Sequence, residues 1–152
     1  MLSNSVTEAT LTASRALVGV AARSVADALE LVTLPQFRTL VVLAGAGQLR
    51  VGELAAKVHA HPSTFSRSLD RMVTGGWVER LASPGSRREV LVRLSPAGRA
   101  LVDEVTERRR RELSRILSKL TAEEQLSVLN AFELFARAAE EIPAEDLLTL
   151  GL

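Results

Sequence analysis

The sequence contains no cysteine, so a disulfide scaffold, a thiolate metal site and thiol-based redox sensing are excluded. It also lacks tyrosine, and aromatic residues make up only 3% of the chain. No apolar run reaches the roughly 18 residues that a membrane-spanning helix requires. The N-terminus lacks the basic and then apolar pattern of a signal peptide. We therefore expect a cytoplasmic protein with no membrane partner.

The charge of the chain is small in total but uneven in distribution. Residues 61–99 contain seven arginines and three acidic residues, a net charge of +4. The whole chain of 152 residues carries only +1, which leaves −3 for the rest. A local excess of arginine is what binding to nucleic-acid phosphates would need. With 47% hydrophobic residues, the chain can also bury the core of a single domain.

The segment 61–73 has the pattern of a short helix with two different faces. At 3.6 residues per turn, Phe65, Leu69, Met72 and Val73 share an apolar face. The opposite face is polar and carries Ser63, Ser66, Arg67, Asp70 and Arg71. Pro62 suits the first helical position, where its missing N–H costs nothing, and the glycines at 75–76 suit a helix end.

The neighbouring segments predict a helix-turn-helix followed by a β-hairpin wing. A helical pattern covers residues 51–58, and residues 59–61 form a join of about three residues, as this motif requires. Two strand-like runs, 77–81 and 89–94, are separated by a polar loop at 82–88. Residues 49–51 suit a short third strand.

Helices are predicted on both sides of this motif. Apolar residues recur at three- and four-residue intervals from residue 10 to 33, which predicts a long amphipathic helix after a frayed start at residues 1–8. Pro35 opens a second helix, which the glycines at 45–47 end. The helices outside the motif carry apolar stripes, which pack either on the helix-turn-helix region of the same chain or on a second copy of the chain.

Two more helices follow the wing. Ser95 and Pro96 suit the N-cap and first position of a long helix. Thr121 with Glu124 forms a capping box that opens a last helix, which Pro143 ends. The tail at 147–152 is apolar and suits packing on a partner.

Seven fragments, in this order and spacing, carry a resemblance to a known family: 34–40, 54–55, 62–67, 69–73, 75–80, 87–92 and 94–98. Together they make the chain resemble the MarR family of winged helix-turn-helix transcriptional regulators. One position departs from the family pattern, whose wing usually carries Asp-x-Arg. Ser86 stands in place of the Asp and Arg88 matches the arginine. Because that acid helps hold the wing arginine in the family, its loss bears on the rigidity of the wing but not on its position.

The resemblance implies a mainly α fold with a small β-wing in a single domain, 1–152. Residues 10–33 and 95–142 would be the dimerisation helices, and 34–94 the winged helix-turn-helix that binds DNA. It further implies a homodimer on a pseudo-palindromic operator, acting as a ligand-responsive repressor. The effector implied is a small aromatic or phenolic acid, bound between the reader and the dimerisation helices. The sequence does not locate that cavity.

The candidate DNA-binding residues follow from the chemistry of the grooves. A helix in the major groove needs short hydroxyls for close approach and an arginine whose fork grips guanine or phosphate; Ser63, Thr64, Ser66 and Arg67 supply both. Alternatively, the first two only satisfy the first helical turn. Arg71 suits a backbone phosphate, or an ion pair with Asp70 or Glu79. In the wing, Arg87 and Arg88 would enter the minor groove, whose negative potential attracts them, unless the loop is merely solvated.

Other features favour a structural interpretation. The arginines at 108–111 point all round a helix, with acids in pairing range, so ion pairs are favoured over a nucleic-acid patch. His59 and His61 lack the further ligands of a metal site and suit a turn residue and an N-cap. Trp77 suits core packing better than base stacking.

No catalytic constellation or cofactor motif is present, so we expect neither an enzyme nor a bound cofactor or metal. The expected partners are double-stranded DNA and a second copy of the chain. The alternative from another class is a winged-helix protein-interaction module that dimerises without reading DNA. The clustered positive charge favours the regulator.

Overall fold

The computed structural model describes residues 4–140, apart from the side chain of Arg87. The helices are α1 (Asn4–Val25), α2 (Leu34–Ala46), α3 (Val51–Lys57), α4 (Pro62–Thr74), α5 (Pro96–Leu117) and α6 (Ala122–Ala138), with a 3₁₀ turn at Ala28–Glu30. The strands are β1 (Gln48–Arg50), β2 (Val78–Ser83) and β3 (Ser86–Leu94). Within residues 4–140, no helix is both long and apolar enough to cross a membrane.

The three strands form one antiparallel sheet in the order β1-β3-β2. β2 and β3 make the predicted hairpin, and β1 pairs with the free edge of β3. Val78 lies opposite Leu94, and both are buried together with Val92. One face of the small sheet therefore packs on the helix-turn-helix, and the rest of the hairpin projects from it as a wing.

The main core lies among α2, α3, α4 and the sheet. Leu40 and Leu43 of α2, Leu54 of α3, and Leu69 and Met72 of α4 are almost completely buried. The start of α5 closes this core with three further apolar side chains, Leu101, Val102 and Val105. Burying the apolar faces of α2, α3 and α4 in one cluster leaves the polar face of α4 directed to solvent.

The outer helices, α1 and α6, have exposed apolar side chains that no other described residue of the chain covers. On α1 these are Val6, Leu11, Leu17 and Val18, and on α6 they are Leu126, Leu129, Phe132, Leu134 and Phe135. α1 is held to α5 by an ion pair between Arg23 and Glu112 and by a bond from Arg109 Nε to Ser24 Oγ at 3.2 Å. α6 contributes no buried residue at all.

The prediction for the N-terminal helix was wrong at both ends. The helix begins at Asn4, so residues 4–8 are not frayed, and it ends at Val25 rather than at residue 33. The chain turns there and forms the 3₁₀ turn, which tertiary contacts hold: Val25, Ala28 and Val32 pack in the same core, and Asp27 pairs with Arg108 of α5.

The wing hairpin is longer than predicted. β2 continues to Ser83 and β3 begins at Ser86, so Pro84 and Gly85 alone make the connection that was expected to span residues 82–88. The added residues are polar or small, and their strand structure comes from pairing across the hairpin, where Ala82 lies opposite Val90.

The starts of the other predicted helices and of β1 are confirmed within a residue or two. Pro35, Pro62 and Pro96 all stand at helix starts, and Ser95 and Thr121 cap α5 and α6. β1 is the predicted third strand, beginning one residue earlier. The prediction that Pro143 ends the last helix was wrong, because α6 already ends at Ala138. The tail at 147–152 lies outside the described residues, so its packing on a partner stays a prediction.

Candidate nucleic-acid interface

The polar face of α4 brings together the residues predicted to bind DNA, and we call it the reading face and α4 the reading helix. All of them are exposed: Ser63, Thr64, Ser66, Arg67 and Arg71. The helix is oriented by Phe65, Leu69 and Met72 on its opposite face, which are buried in the core. Its first turn, where backbone N–H groups are free and the helix dipole is positive, faces solvent beside the same residues and suits a phosphate.

His61 stands at the N-cap of α4, as predicted, but its side chain does not cap the helix backbone. Its ring Nδ1 instead lies 2.9 Å from the Ser63 hydroxyl. The Ser63 side chain is thus engaged with the turn before the helix, which partly supports the structural alternative for this residue. Within the described part of the chain, no cluster of three or more His, Asp or Glu side chains could hold a metal ion.

Arg67 and Arg71, the arginines of the reading face, form no ion pair with any described residue. The acidic residues around them are paired with other arginines. Asp70 pairs with Arg80, Glu79 with Arg93 at 2.9 Å, and Glu89 with Arg50 at 3.0 Å. The alternative that Arg71 pairs with Asp70 or Glu79 is therefore wrong, because other arginines occupy both acids. Arg67 and Arg71 keep their full charge available for a ligand.

A groove of about 850 Å³ runs between the start of α2 and the reading helix. None of its lining residues is acidic, and five are arginine or histidine: Arg38, His59, His61, Arg67 and Arg71. Sequence reasoning missed Arg38 as a member of this surface, because it lies on another helix. The signal was its place on the solvent side of α2, one residue after the buried Phe37.

The wing carries its arginines on the strand that follows the tip. Ser86 accepts a bond from the Arg88 N–H at 3.2 Å, so its hydroxyl supports the backbone at the tip rather than holding the arginine side chain. The Arg88 side chain is exposed and makes no ion pair with any described residue. The side chain of Arg87 lies outside the described part of the chain. Its predicted DNA contact stays a prediction.

Two of the four arginines at 108–111 form ion pairs within the described part of the chain, in line with the structural interpretation. Arg108 pairs with Asp27 and with Glu104 at 2.5 Å, and Arg110 pairs with Glu107. The hydrogen bond to Asp27, and then the negative charges of Asp27 and Glu104, raise the pKa of Arg108 above its ordinary value. Trp77 is half-buried against the core, which agrees with its predicted packing role.

Comparison with known proteins assigns the chain to a family. The model of the MarR family matches residues 32–90. The multiple antibiotic resistance protein MarR of Salmonella typhimurium is 36% identical over 94 residues, 61% of this chain and 65% of that protein, so the match spans just under two thirds of that relative. The HTH-type transcriptional regulator YfiV of Bacillus subtilis is 31% identical over 113 residues, 74% of this chain and 71% of that protein.

A solved structure extends the likeness to nearly the whole chain. RV1404 from Mycobacterium tuberculosis superposes with a TM-score of 0.81 and 40% identity, covering 93% of this chain and 96% of that one. The likeness therefore includes the outer helices, which the family model does not reach. The chain belongs to the MarR family of winged helix-turn-helix transcriptional regulators.

Proposed function

We propose that this protein is a sequence-specific transcriptional regulator that binds double-stranded DNA as a homodimer. The observation that carries the proposal is the reading face of α4, where Arg67 and Arg71 form no ion pair with any described residue and stand beside three exposed hydroxyl residues. A helix of this kind fits the major groove, where arginine forks and hydroxyls distinguish base pairs. Arg88, and Arg87 on the same strand, would reach the adjacent minor groove.

The outer helices support the dimer. Among the described residues of a single copy, five large apolar side chains of α6 and four of α1 are exposed. Exposed apolar surface of this extent marks an interaction site in a soluble protein. A second copy, placed by a two-fold axis, would cover both helices with the same surface from its partner.

A two-fold dimer dictates the form of the operator. The two copies of α4 would enter successive major grooves on one side of the duplex, about 34 Å apart. The operator is then a pseudo-palindrome whose half-sites lie roughly ten base pairs apart, centre to centre.

A salt series on two duplexes tests the regulator against the interaction module. Fluorescence anisotropy would compare DNA from the protein's own upstream region with a scrambled duplex of the same composition. We expect tight binding to the first only, with an affinity that falls steeply as salt rises, because phosphate contacts release counterions. Equal weak binding to both would show a non-specific binder. Absence of binding at low salt would favour the module that dimerises without reading DNA.

We further propose that the regulator is a repressor released by a small aromatic or phenolic acid. A cavity of about 190 Å³ between the 3₁₀ turn and α5 supports this. Leu31, Leu101 and Val105 line it together with three charged side chains, Asp27, Glu104 and Arg108. An effector carboxylate could replace Asp27 as the partner of Arg108. Because this exchange would loosen α5 from the segment after α1, the effector would favour a dimer with wrongly spaced reading helices.

Arg108→Gln tests this proposal. We expect 4-hydroxybenzoate to release wild-type protein from its operator in an anisotropy titration, and the variant to bind the operator but respond at least about tenfold more weakly, in line with the usual size of allosteric coupling. Arg110→Gln is the matched control, because its partner Glu107 lies on α5 itself. A wild-type protein that ignores the acid would contradict this effector class. An unchanged response of the Arg108→Gln variant to the acid would contradict the proposal that the effector binds in this cavity.

A further inference from the structure

The end of the reading helix is joined to the start of α5 by a small junction, which consists of Gly76, Trp77, Ser95 and Gly98. The Ser95 N–H donates to the Trp77 carbonyl at 3.1 Å, and the Ser95 hydroxyl donates to the Gly76 carbonyl at 2.5 Å. The same hydroxyl accepts a bond from the Gly98 N–H at 3.0 Å, which caps α5. One buried side chain therefore ties the residues after α4 to the first turn of α5.

Gly98 supplies the other half of the junction. An ideal Cβ at this position would lie 2.1 Å from the Trp77 carbonyl oxygen and 3.1 Å from its carbonyl carbon. Both are backbone atoms, so they cannot rotate away as the end of a flexible side chain would. Any side chain larger than hydrogen must push the first turn of α5 away from the residue that precedes β2.

Such a displacement would be passed to the reading helix. The Trp77 N–H donates to the Met72 carbonyl at 2.9 Å, and the Gly76 N–H donates to the Val73 carbonyl at 3.0 Å. The junction is thus hydrogen-bonded to the last turn of α4. A shift there would tilt a helix of 13 residues whose reading residues begin at its far end, about 20 Å away.

The C-terminal half of α5 contacts α1, one of the two outer helices. Arg109 Nε donates to the Ser24 hydroxyl at 3.2 Å, and Ser24 is buried. Arg23 of α1 also pairs with Glu112 of α5. α5, with 22 residues and a length of about 33 Å, therefore connects the reader at its start to α1 near its end.

We propose that Ser95 and Gly98 are positioning residues that set the angle between the reading helix and α5, and with it the distance between the two reading helices of the dimer. The inference rests on the proposed function, since it requires a dimer that reads two half-sites. Neither residue touches DNA. Their effect is on which operator spacing the dimer accepts.

The experiment measures spacing preference. The duplex that wild-type protein selects from random DNA would be compared with versions carrying one base pair more or fewer between the half-sites. We expect wild-type protein to prefer the selected spacing by on the order of tenfold or more, the scale of one lost base-pair contact. Ser95→Ala and Gly98→Ala should lose most of that preference, whereas Ser95→Thr, which keeps the hydroxyl, should retain it.

Thr121→Ala is the matched control for the loss of an N-cap. Thr121 caps α6 by accepting from the Glu124 N–H at 3.2 Å, far along the chain from the junction. Ser95→Ala and Thr121→Ala each remove the N-cap of a helix, so both variants should melt at a lower temperature than wild type. Only Ser95→Ala should change the spacing preference. If Gly98→Ala does not fold, the spacing preferences of Ser95→Ala and Ser95→Thr are sufficient to test the inference.

Two results would overturn the inference in different ways. A Ser95→Ala protein with the wild-type spacing preference and only a lowered melting temperature would show that the junction serves stability alone, and the proposed function would stand. A wild-type protein that binds DNA with no preference for any spacing would overturn the proposed function and this inference with it.

Discussion

Replacing Phe132 with glutamate is expected to produce monomers and to weaken operator binding by about 10²–10⁴-fold. Phe132 lies near the middle of the apolar face of α6 and is 44% exposed in a single copy. In the proposed dimer this side chain would be buried against the partner, where an unpaired carboxylate cannot be accommodated. Once the dimer separates, the second reading helix no longer binds as part of the same molecule.

Sedimentation velocity would measure the mass of the variant, and anisotropy its operator affinity. Val41→Glu is the matched control, because Val41 is 40% exposed on α2, outside the two outer helices. The control should remain a dimer. A Phe132→Glu protein that is dimeric at the same concentration as wild type would show that the outer face of α6 is not the interface.

The second large effect is expected at Arg67. Arg67→Ala should weaken operator binding by about 1–3 kcal/mol and reduce discrimination at one base pair in each half-site. The reason is geometric: Arg67 is exposed on the first half of α4, makes no ion pair with any described residue, and stands one turn after Ser63. Its fork can therefore grip a guanine edge without first breaking a protein contact.

Two further variants separate base reading from simple charge. Arg67→Lys keeps the charge but lacks the bidentate fork, so its affinity for scrambled DNA should match wild type while its discrimination falls. Arg71→Ala should weaken binding to all sequences alike and reduce the salt slope by about one, as loss of a phosphate contact does. A discrimination profile of Arg67→Ala that equals wild type would mean that another residue reads the base.

Much of the fold could be predicted from local sequence. The apolar spacing of Phe65, Leu69 and Met72 and the helix-starting Pro62 predict α4 almost to the residue, since these preferences act within one or two helical turns. The same is true of the capping residues Ser95 and Thr121. The candidate DNA-binding residues of α4 also follow, because an amphipathic helix with one buried face must expose the other.

The tertiary structure decided what depends on contacts distant in sequence. The end of α1 at Val25 and the full length of the wing come from core packing and strand pairing, which local preferences do not encode. The polar face of α4 keeps arginines without an ion pair to any described residue because Arg80, Arg93 and Arg50 pair with the nearby acids. From the sequence alone, Arg71 could equally have paired with Asp70 or Glu79.

Hydrophobic periodicity and capping, which can be read from the sequence, thus predicted the starts of helices α2 to α6, the order of the motif and the exposed face of α4. Only the tertiary structure brought Arg38 into the groove beside the reading helix and set Gly98 against the Trp77 carbonyl. Such contacts join segments far apart along the chain, and their geometry exists only once the core has packed.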